Sequence, residues 1–360
     1  MKITGFNISQ LSIALEKPFI TALRRVDTVN DIIIKITTDT EHVGYGEACA
    51  VTAITGITNE DVINDLKHTV FPSLIHNQIE TKDIFQKLHT MDICSEAKAC
   101  IDIALFDLLS KQSHQSLHQY LGAHFSRLQT DLTISVGEPS AMKEDALDAI
   151  KRGFDVLKIK LDQDIEKNIK RLEVINEVLT DSNRLRLDPN QSLTLDPCLK
   201  MLACIKTDNI ECIEQPFAAD DHISMKRLKD KAIIPVLADE SIFNAQDAQQ
   251  LLDEKAVDML NIKLMKCGGI YEALAISKLA TKYDKACMIG SMLEGPISLL
   301  AAAHFGVSQV SVSMADLDSP LYLKEHPLLS PFHICQDQIN LNDETGLGID
   351  HIMNRLDLFN

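Results

Sequence analysis

Three lysines and three acids stand where this 360-residue chain could do chemistry. Lys158 and Lys160 interrupt the apolar stretch "GFDVLKIKLD", and their alternate positions aim both ammonium groups at one face of a strand. Taken alone, such a pair fits an edge strand with a wet face. Farther along, Asp188 in "RLDPN", Glu214 in "CIEQP", Asp239 in "LADES" and Lys263 in "NIKLM" each end an apolar run. They follow one another at steps of roughly 25 residues, one strand–helix unit apiece. Three carboxylates gathered from three such runs would repel strongly in a low dielectric. A hard divalent cation relieves that repulsion, and an all-oxygen set with room for water suits Mg²⁺. No histidine or cysteine shares these positions, which disfavours zinc. Lysines on either side of the metal could serve as general bases, their pKa lowered towards roughly 7–8 by neighbouring positive charge.

The elements that must position these groups are legible from about residue 132. Short strands in "TISVG", "VLKIKLD", "LRLDPN", "IECIEQP", "IPVLADES", "DMLNIKLM", "ACMIGSM" and "VSVSMADLD" alternate with amphipathic helices. In "DIEKNIKRLEVINEVL", Ile165, Ile169, Leu172, Ile175 and Leu179 form one stripe, and Gly153 stands where a helix-ending glycine belongs. Strands joined by helices pair in parallel with right-handed crossovers, and eight of them close into a barrel. All strand ends then open on one face, so the lysines and acids converge at the barrel mouth. Residues 1–125 read instead as an α+β unit. Alternating segments 2–15 and 31–37 suggest an antiparallel sheet, "HVGYGEA" supplies turn glycines, and "SEAKACIDIALFDLLSKQ" reads as a helix with one apolar face. Residues 126–326 hold the barrel, and 327–360 break the repeat and return to the first domain. The fold class is α/β, a (β/α)7β barrel with an α+β capping domain.

A formal net charge of −17 and a pI near 5.1 argue against nucleic acid or an anionic membrane as a partner. Nine scattered cysteines, with no zinc spacing, fit reduced thiols in the cytoplasm. The N-terminus alternates like a strand and lacks a signal peptide's apolar block, and no apolar run is long enough to span a membrane.

The stretches "KIK", "DPN", "IEQP", "ADES" and "NIKLMKCGG" resemble the enolase superfamily, in its muconate-lactonising subgroup. In that superfamily a lysine base beside Mg²⁺ and an ene-diolate is an established arrangement. The resemblance implies Asp188, Glu214 and Asp239 as Mg²⁺ ligands, Lys160 and Lys263 as the two acid/base catalysts, and Lys158 as a partner of the substrate carboxylate. Three further stretches resemble the dipeptide epimerases, those acting on alanyl-glutamate above all. Arg24 in "FITALRRVDT" matches an arginine that meets the substrate's acidic side chain. Ile54 in "ITG" matches a lid position. Asp316 and Asp318 in "ADLDSP" match a pair that binds the peptide's ammonium group. Gly295 and Pro189 depart from the residues usual at their positions. Lys266, Gly268 and Gly269 read as turn and helix-start residues. The expected function is therefore epimerisation of a small dipeptide by 1,1-proton transfer, in murein-peptide metabolism, by a homo-oligomer. The rivals are o-succinylbenzoate synthase, N-acylamino-acid racemase or cycloisomerase chemistry in the same subgroup, a Schiff-base aldolase, and a barrel kept for binding alone.

Overall fold

The structure, a computed structural model, describes every residue except 80–81, 124, 232–233, 357 and 360. Its N-terminal part is an antiparallel sheet of Ile3–Ile20, Arg25–Thr38 and Val43–Ala48. The first two strands run beyond the alternating segments and meet in a tight turn, closed by Thr21 N–H donating to the Arg24 carbonyl at 3.0 Å. That hairpin tip is pinned to the barrel: Val136 N–H donates to the Ile20 carbonyl at 3.1 Å, and Ile20 N–H to Ser135 Oγ at 3.2 Å. Arg24 is thereby carried to the barrel mouth.

Gly44 and Gly46, expected in a turn, lie inside the third strand instead. A Cβ on Gly46 would sit 1.9 Å from the Cys100 carbonyl oxygen, and one on Gly44 2.4 Å from that of Ala104. Glycine is needed here for close approach of sheet and helix rather than for a bend. The helix in question, Ser95–Gln112, covers the expected stretch, but it is buried nearly all round rather than along one face. Its acids are tolerated inside because each accepts hydrogen bonds from other elements. Glu96 accepts from the Thr55 hydroxyl at 2.5 Å, and Asp102 from Ile270 N–H at 2.5 Å. Asp107 accepts from Tyr45 N–H at 3.0 Å and Leu347 N–H at 2.8 Å.

Eight parallel strands follow: Leu132–Ile134, Val156–Lys160, Arg184–Asp188, Ile210–Glu214, Val236–Ala238, Met259–Ile262, Ala286–Gly290 and Val312–Asp316. They occupy the eight expected stretches. A parallel bridge between Thr130 and Ala315 brings the last strand back to the first, closing the barrel. Helices connect successive strands around the outside, among them Pro139–Lys151, Ile165–Asn176 and Pro296–Ser308. Among the described residues no such helix follows the eighth strand, which gives the (β/α)7β form. Gly153 has φ +89° just past the first of these helices, the left-handed conformation expected of it. The barrel interior is layered. Cys212, Leu237, Met288 and Met314 pack together two residues below the mouth positions, with Met259 against them. The chain after residue 327 packs on the first domain, where Lys111 pairs with Asp350 at 2.5 Å and Leu117 N–H donates to the Gly346 carbonyl at 2.7 Å. Among the described residues no helix is long and apolar enough to cross a membrane, and the nine cysteines are all free thiols.

Candidate active site

Strand ends place the five expected barrel groups around one mouth. Lys160 and Asp188 pair across neighbouring strands, register partners in the ladder, with Nζ 2.5 Å from Oδ2. Lys263, just past the sixth strand, lies 2.7 Å from Asp239 Oδ2. Lys158 sits one layer down, fully buried, 3.0 Å from Asp188 Oδ2, 2.6 Å from Glu214 Oε2 and 2.6 Å from Asp316 Oδ2. Lys158 and Lys160, on the second barrel strand Val156–Lys160, thus face the barrel interior and not a wet edge.

Charge decides the protonation of this cluster. Burial pushes Asp188 up, but Lys160 and Lys158 outweigh it and hold the carboxyl down at about 2. Asp239 is likewise held well below the usual carboxylate range, Lys263 and Lys266 overcoming its burial. Glu214 goes the other way: burial and the neighbouring Asp188 raise it to about 7. Burial lowers Lys263, yet Asp239 and Glu214 more than offset that and its pKa is raised. Lys158 is raised too, by Asp316, Glu214 and Asp188 against its burial. Lys158 and Lys263 are thus raised, where lowering was expected of lysines beside the metal. Each ammonium rests against carboxylates rather than against other cations.

The cap completes the pocket. One cavity at the mouth is lined by Arg24 and Ile54 from the cap and by Thr133, Lys160, Asn190, Lys263, Asp316 and Asp318 from the barrel. Ile54 lies in a short helix, Thr52–Thr55, tied down by the Thr55–Glu96 hydrogen bond. Arg24 Nη2 donates to the Met292 carbonyl at 2.6 Å, and among the described residues no carboxylate lies within 4.0 Å of its guanidinium. Burial lowers its pKa, with Cys49 and Asp31 opposing. At the other end Asp316 Oδ2 accepts from Lys158 at 2.6 Å, and Asp318 Oδ2 from Thr133 N–H at 2.6 Å and the Tyr322 hydroxyl at 2.7 Å. Burial and Asp316 raise Asp318 to about 6.

Several participants were missed or misread from the sequence. Lys266, taken as a turn residue, folds its buried side chain back to Asp239, with Nζ 2.6 Å from Oδ1. Gly268 and Gly269 do end one helix and start the next, at φ +85° and +116°. Gly295 leaves room for the cap acids, since a Cβ there would lie 2.1 Å from Glu47 Oε1 and the Glu47 side chain would have to shift. Arg186 and Asn261 lie two residues before Asp188 and Lys263, so the alternation that found Lys158 would have found them. Asp131 had no such signal. Among the described residues the three acids whose carboxylate oxygens lie within 4.8 Å of one another are Asp131, Asp316 and Asp318, not the expected ligand set.

The expected set still fits a divalent cation. Among the described residues, buried oxygens Glu214 Oε2 and Glu240 Oε2, with amide oxygens Asn190 Oδ1 and Asn261 Oδ1, accept no hydrogen bond at the same mouth. Lys158 is close to Glu214 Oε2 but badly angled for a bond. Orphaned hard oxygens beside two firmly ionised carboxylates are what Mg²⁺ requires.

Residues 4–122 match the family described as "Mandelate racemase / muconate lactonizing enzyme, N-terminal domain", and residues 141–354 match "Enolase C-terminal domain-like". The chain belongs to this family of capped barrels, within the enolase superfamily. Its relatives in that family are named as epimerases and racemases. The L-Ala-D/L-Glu epimerase of Clostridium acetobutylicum is 38% identical over 98% of this chain and 100% of its own length. A substrate-liganded L-Ala-D/L-Glu epimerase from Bacillus subtilis superposes with a TM-score of 0.92 at 34% identity, over 97% of this chain and 98% of that one. A dipeptide epimerase from Enterococcus faecalis V583, complexed with Mg and L-Leu-L-Tyr, superposes with a TM-score of 0.91 at 33% identity, over 97% and 99%.

Proposed function

We propose that this protein is a Mg²⁺-dependent epimerase of dipeptides with a C-terminal acidic residue, L-Ala-D/L-Glu foremost, and that it acts on murein peptides. One observation carries the reading: one cavity is lined by the Arg24 guanidinium, which has no carboxylate within 4.0 Å among the described residues, by Asp316 and Asp318, and by Lys160 and Lys263. An extended dipeptide offers the matching groups in that order. Its side-chain carboxylate meets Arg24 bidentately, and its ammonium meets Asp316 and Asp318. Its α-carbon then lies between Lys160 and Lys263.

Asp188, Glu214 and Asp239 would hold the Mg²⁺, which supplies Lewis-acid stabilisation of negative charge on the substrate's α-carboxylate. Lys160 and Lys263 divide the proton transfer. One Nζ takes the α-proton from its face, and the other returns a proton to the opposite face, inverting the centre. Lys158, a donor to Asp316 and ion-paired with Asp188 and Glu214, stands below to hold the substrate's α-carboxylate.

The test is deuterium uptake at the α-carbon of the C-terminal residue. With Mg²⁺ in D₂O, Ala-Glu should exchange and epimerise, and excess EDTA should abolish both. N-acetyl-Ala-Glu should be a poor substrate. Equal rates on the two peptides would transfer the assignment to N-acylamino acids, and activity undiminished by EDTA would sink the metal assignment.

A further inference from the structure

Beneath the Asp316–Asp318 pair lies a third carboxylate that the reaction outlined above does not use. Asp131 precedes the first strand and is wholly buried. Its Oδ2 accepts from Arg186 Nη1 at 2.8 Å, while Oδ1 is buried and accepts no hydrogen bond. One carboxylate oxygen of each of Asp131, Asp316 and Asp318 lies within 4.8 Å of the others. A bare barrel staple would account for the Arg186 bond, because Arg186 also donates to the Ala315 carbonyl at 2.8 Å and to Glu211 at 2.8 Å. It does not account for a second oxygen left without a donor beside two more acids.

The charges of this corner do not balance. Its cations are Arg186 and Lys158, and both are shared. Arg186 divides itself between Asp131 and Glu211, and Lys158 between Asp316, Asp188 and Glu214. Asp318 has no cation within 4.0 Å among the described residues, only the Thr133 N–H and the Tyr322 hydroxyl. Three acids sharing parts of two cations lack at least one positive charge. At low dielectric such a deficit is costly: burial and the neighbouring Asp316 push the Asp131 carboxyl well above the usual carboxylate range, and an ammonium bound beside the pair would relieve it.

We propose that Asp131 is a specificity-determining residue: a third carboxylate, below Asp316 and Asp318, whose charge makes this end of the pocket select a free ammonium group. The inference rests on the dipeptide reading and deepens it. Asp131 does not line the cavity, so it acts through the pair above it, as a positioning residue. A neutral acyl group at the same place would leave the deficit unfilled, and an anionic one would add to it. The ligand class is therefore a peptide with an unmodified N-terminus, and blocking that amine should cost binding in proportion to the charge held beneath it.

The experiment compares wild type and Asp131→Asn, with KM and kcat for Ala-Glu and the inhibition constant for N-acetyl-Ala-Glu. Asp131→Asn should raise KM for Ala-Glu at least about tenfold and leave kcat within about threefold. Its inhibition constant for the N-acetyl peptide should stay the same or fall. A loss of kcat at unchanged KM, an equal loss of affinity for both ligands, or no change would reduce Asp131 to a staple of the barrel. If the single variant does not fold, Asp131→Asn with Arg186→Met removes the buried cation together with its partner. The same ratio of affinities is then the readout. Wild type inactive on every free-amino dipeptide would overturn the functional reading itself. Wild type active, with selectivity for the amine unaltered in the variants, would overturn this inference alone.

Discussion

Lys160 and Lys263 have the same side chain and opposite stations, and their stations should be visible as stereochemistry. Each is anchored by a different carboxylate, Asp188 and Asp239, from different strands. Lys160→Ala and Lys263→Ala should each stop epimerisation, because one face of the α-carbon loses its proton carrier. Each variant should still exchange the α-proton of one epimer, and of opposite epimers. NMR exchange in D₂O with separate L,L and L,D peptides checks this, and exchange of the same epimer by both variants would refute the facial assignment. Arg24 makes a complementary prediction. A partly buried guanidinium bonded, among the described residues, to the Met292 carbonyl alone keeps capacity for an anion. Arg24→Met should lower kcat/KM on Ala-Glu by about tenfold or more, equivalent to about 1.4 kcal/mol. An uncharged dipeptide should lose much less. Equal losses on both would remove the ground for naming glutamate.

At the level of elements, the site depends on how closely the cap sheet lies on the helix Ser95–Gln112. That helix reaches in four directions: Glu96 to the Ile54 helix, Asp102 to the barrel helix Ile270–Lys282, Asp107 to the third strand and the C-terminal segment, and Lys111 to Asp350. A glycine without side chain is what allows the third strand to touch it. Gly46→Ala places a carbon 1.9 Å from the Cys100 carbonyl oxygen, with Ala104 Cβ behind at 3.3 Å. Neither neighbour is the tip of a flexible side chain, so strand and helix must separate. Overpacking of this kind costs about 1–3 kcal/mol. Gly46→Ala should lower the midpoint of thermal unfolding by several degrees, measured by calorimetry, and should raise KM by moving the Ile54 helix. An unchanged midpoint would show that the contact is looser than its geometry.

On the scale of the whole molecule, cap and barrel meet through buried acids at the start of helix Pro296–Ser308. Asp31 Oδ2 accepts from Gly295 N–H at 2.8 Å, and Glu47 Oε2 from Ser298 N–H at 2.8 Å. Glu294, Cys49 and Arg24 face the same spot. A helix N-terminus favours anions, yet burial outweighs it and raises Asp31 to about 7 and Glu47 well above its usual value. An unfolded aspartate titrates near ~3.9. The folded state therefore binds this proton more tightly than the unfolded chain, and the stabilisation is complete below about pH 4 and disappears as pH rises through 7. With Mg²⁺ in excess, the unfolding midpoint should fall between pH 6 and 8.5, and Asp31→Asn should flatten that fall. A midpoint that rises over this range, or a slope untouched by the substitution, would contradict it.

The barrel and its mouth were legible because strands have a period of two and strand–helix units recur. Lys158, Lys160, Asp188, Glu214, Asp239 and Lys263 end or precede apolar runs, and parallel pairing alone brings such ends to one face. The same arithmetic placed the helix at Ser95–Gln112, and it would have placed Arg186 and Asn261 had it been carried to every strand. What periodicity cannot encode is the partner across a gap. Gly46 reads as a turn glycine until a helix far along the chain presses on it. Lys266 reads as a turn lysine until Asp239 is found within reach. The unpaired state of Arg24 and the third acid at Asp131 exist only once the hairpin tip sits on the barrel and the eighth strand closes on the first. Side-chain direction is a local property of the backbone, whereas charge balance is a sum over everything the fold brings within a few ångströms.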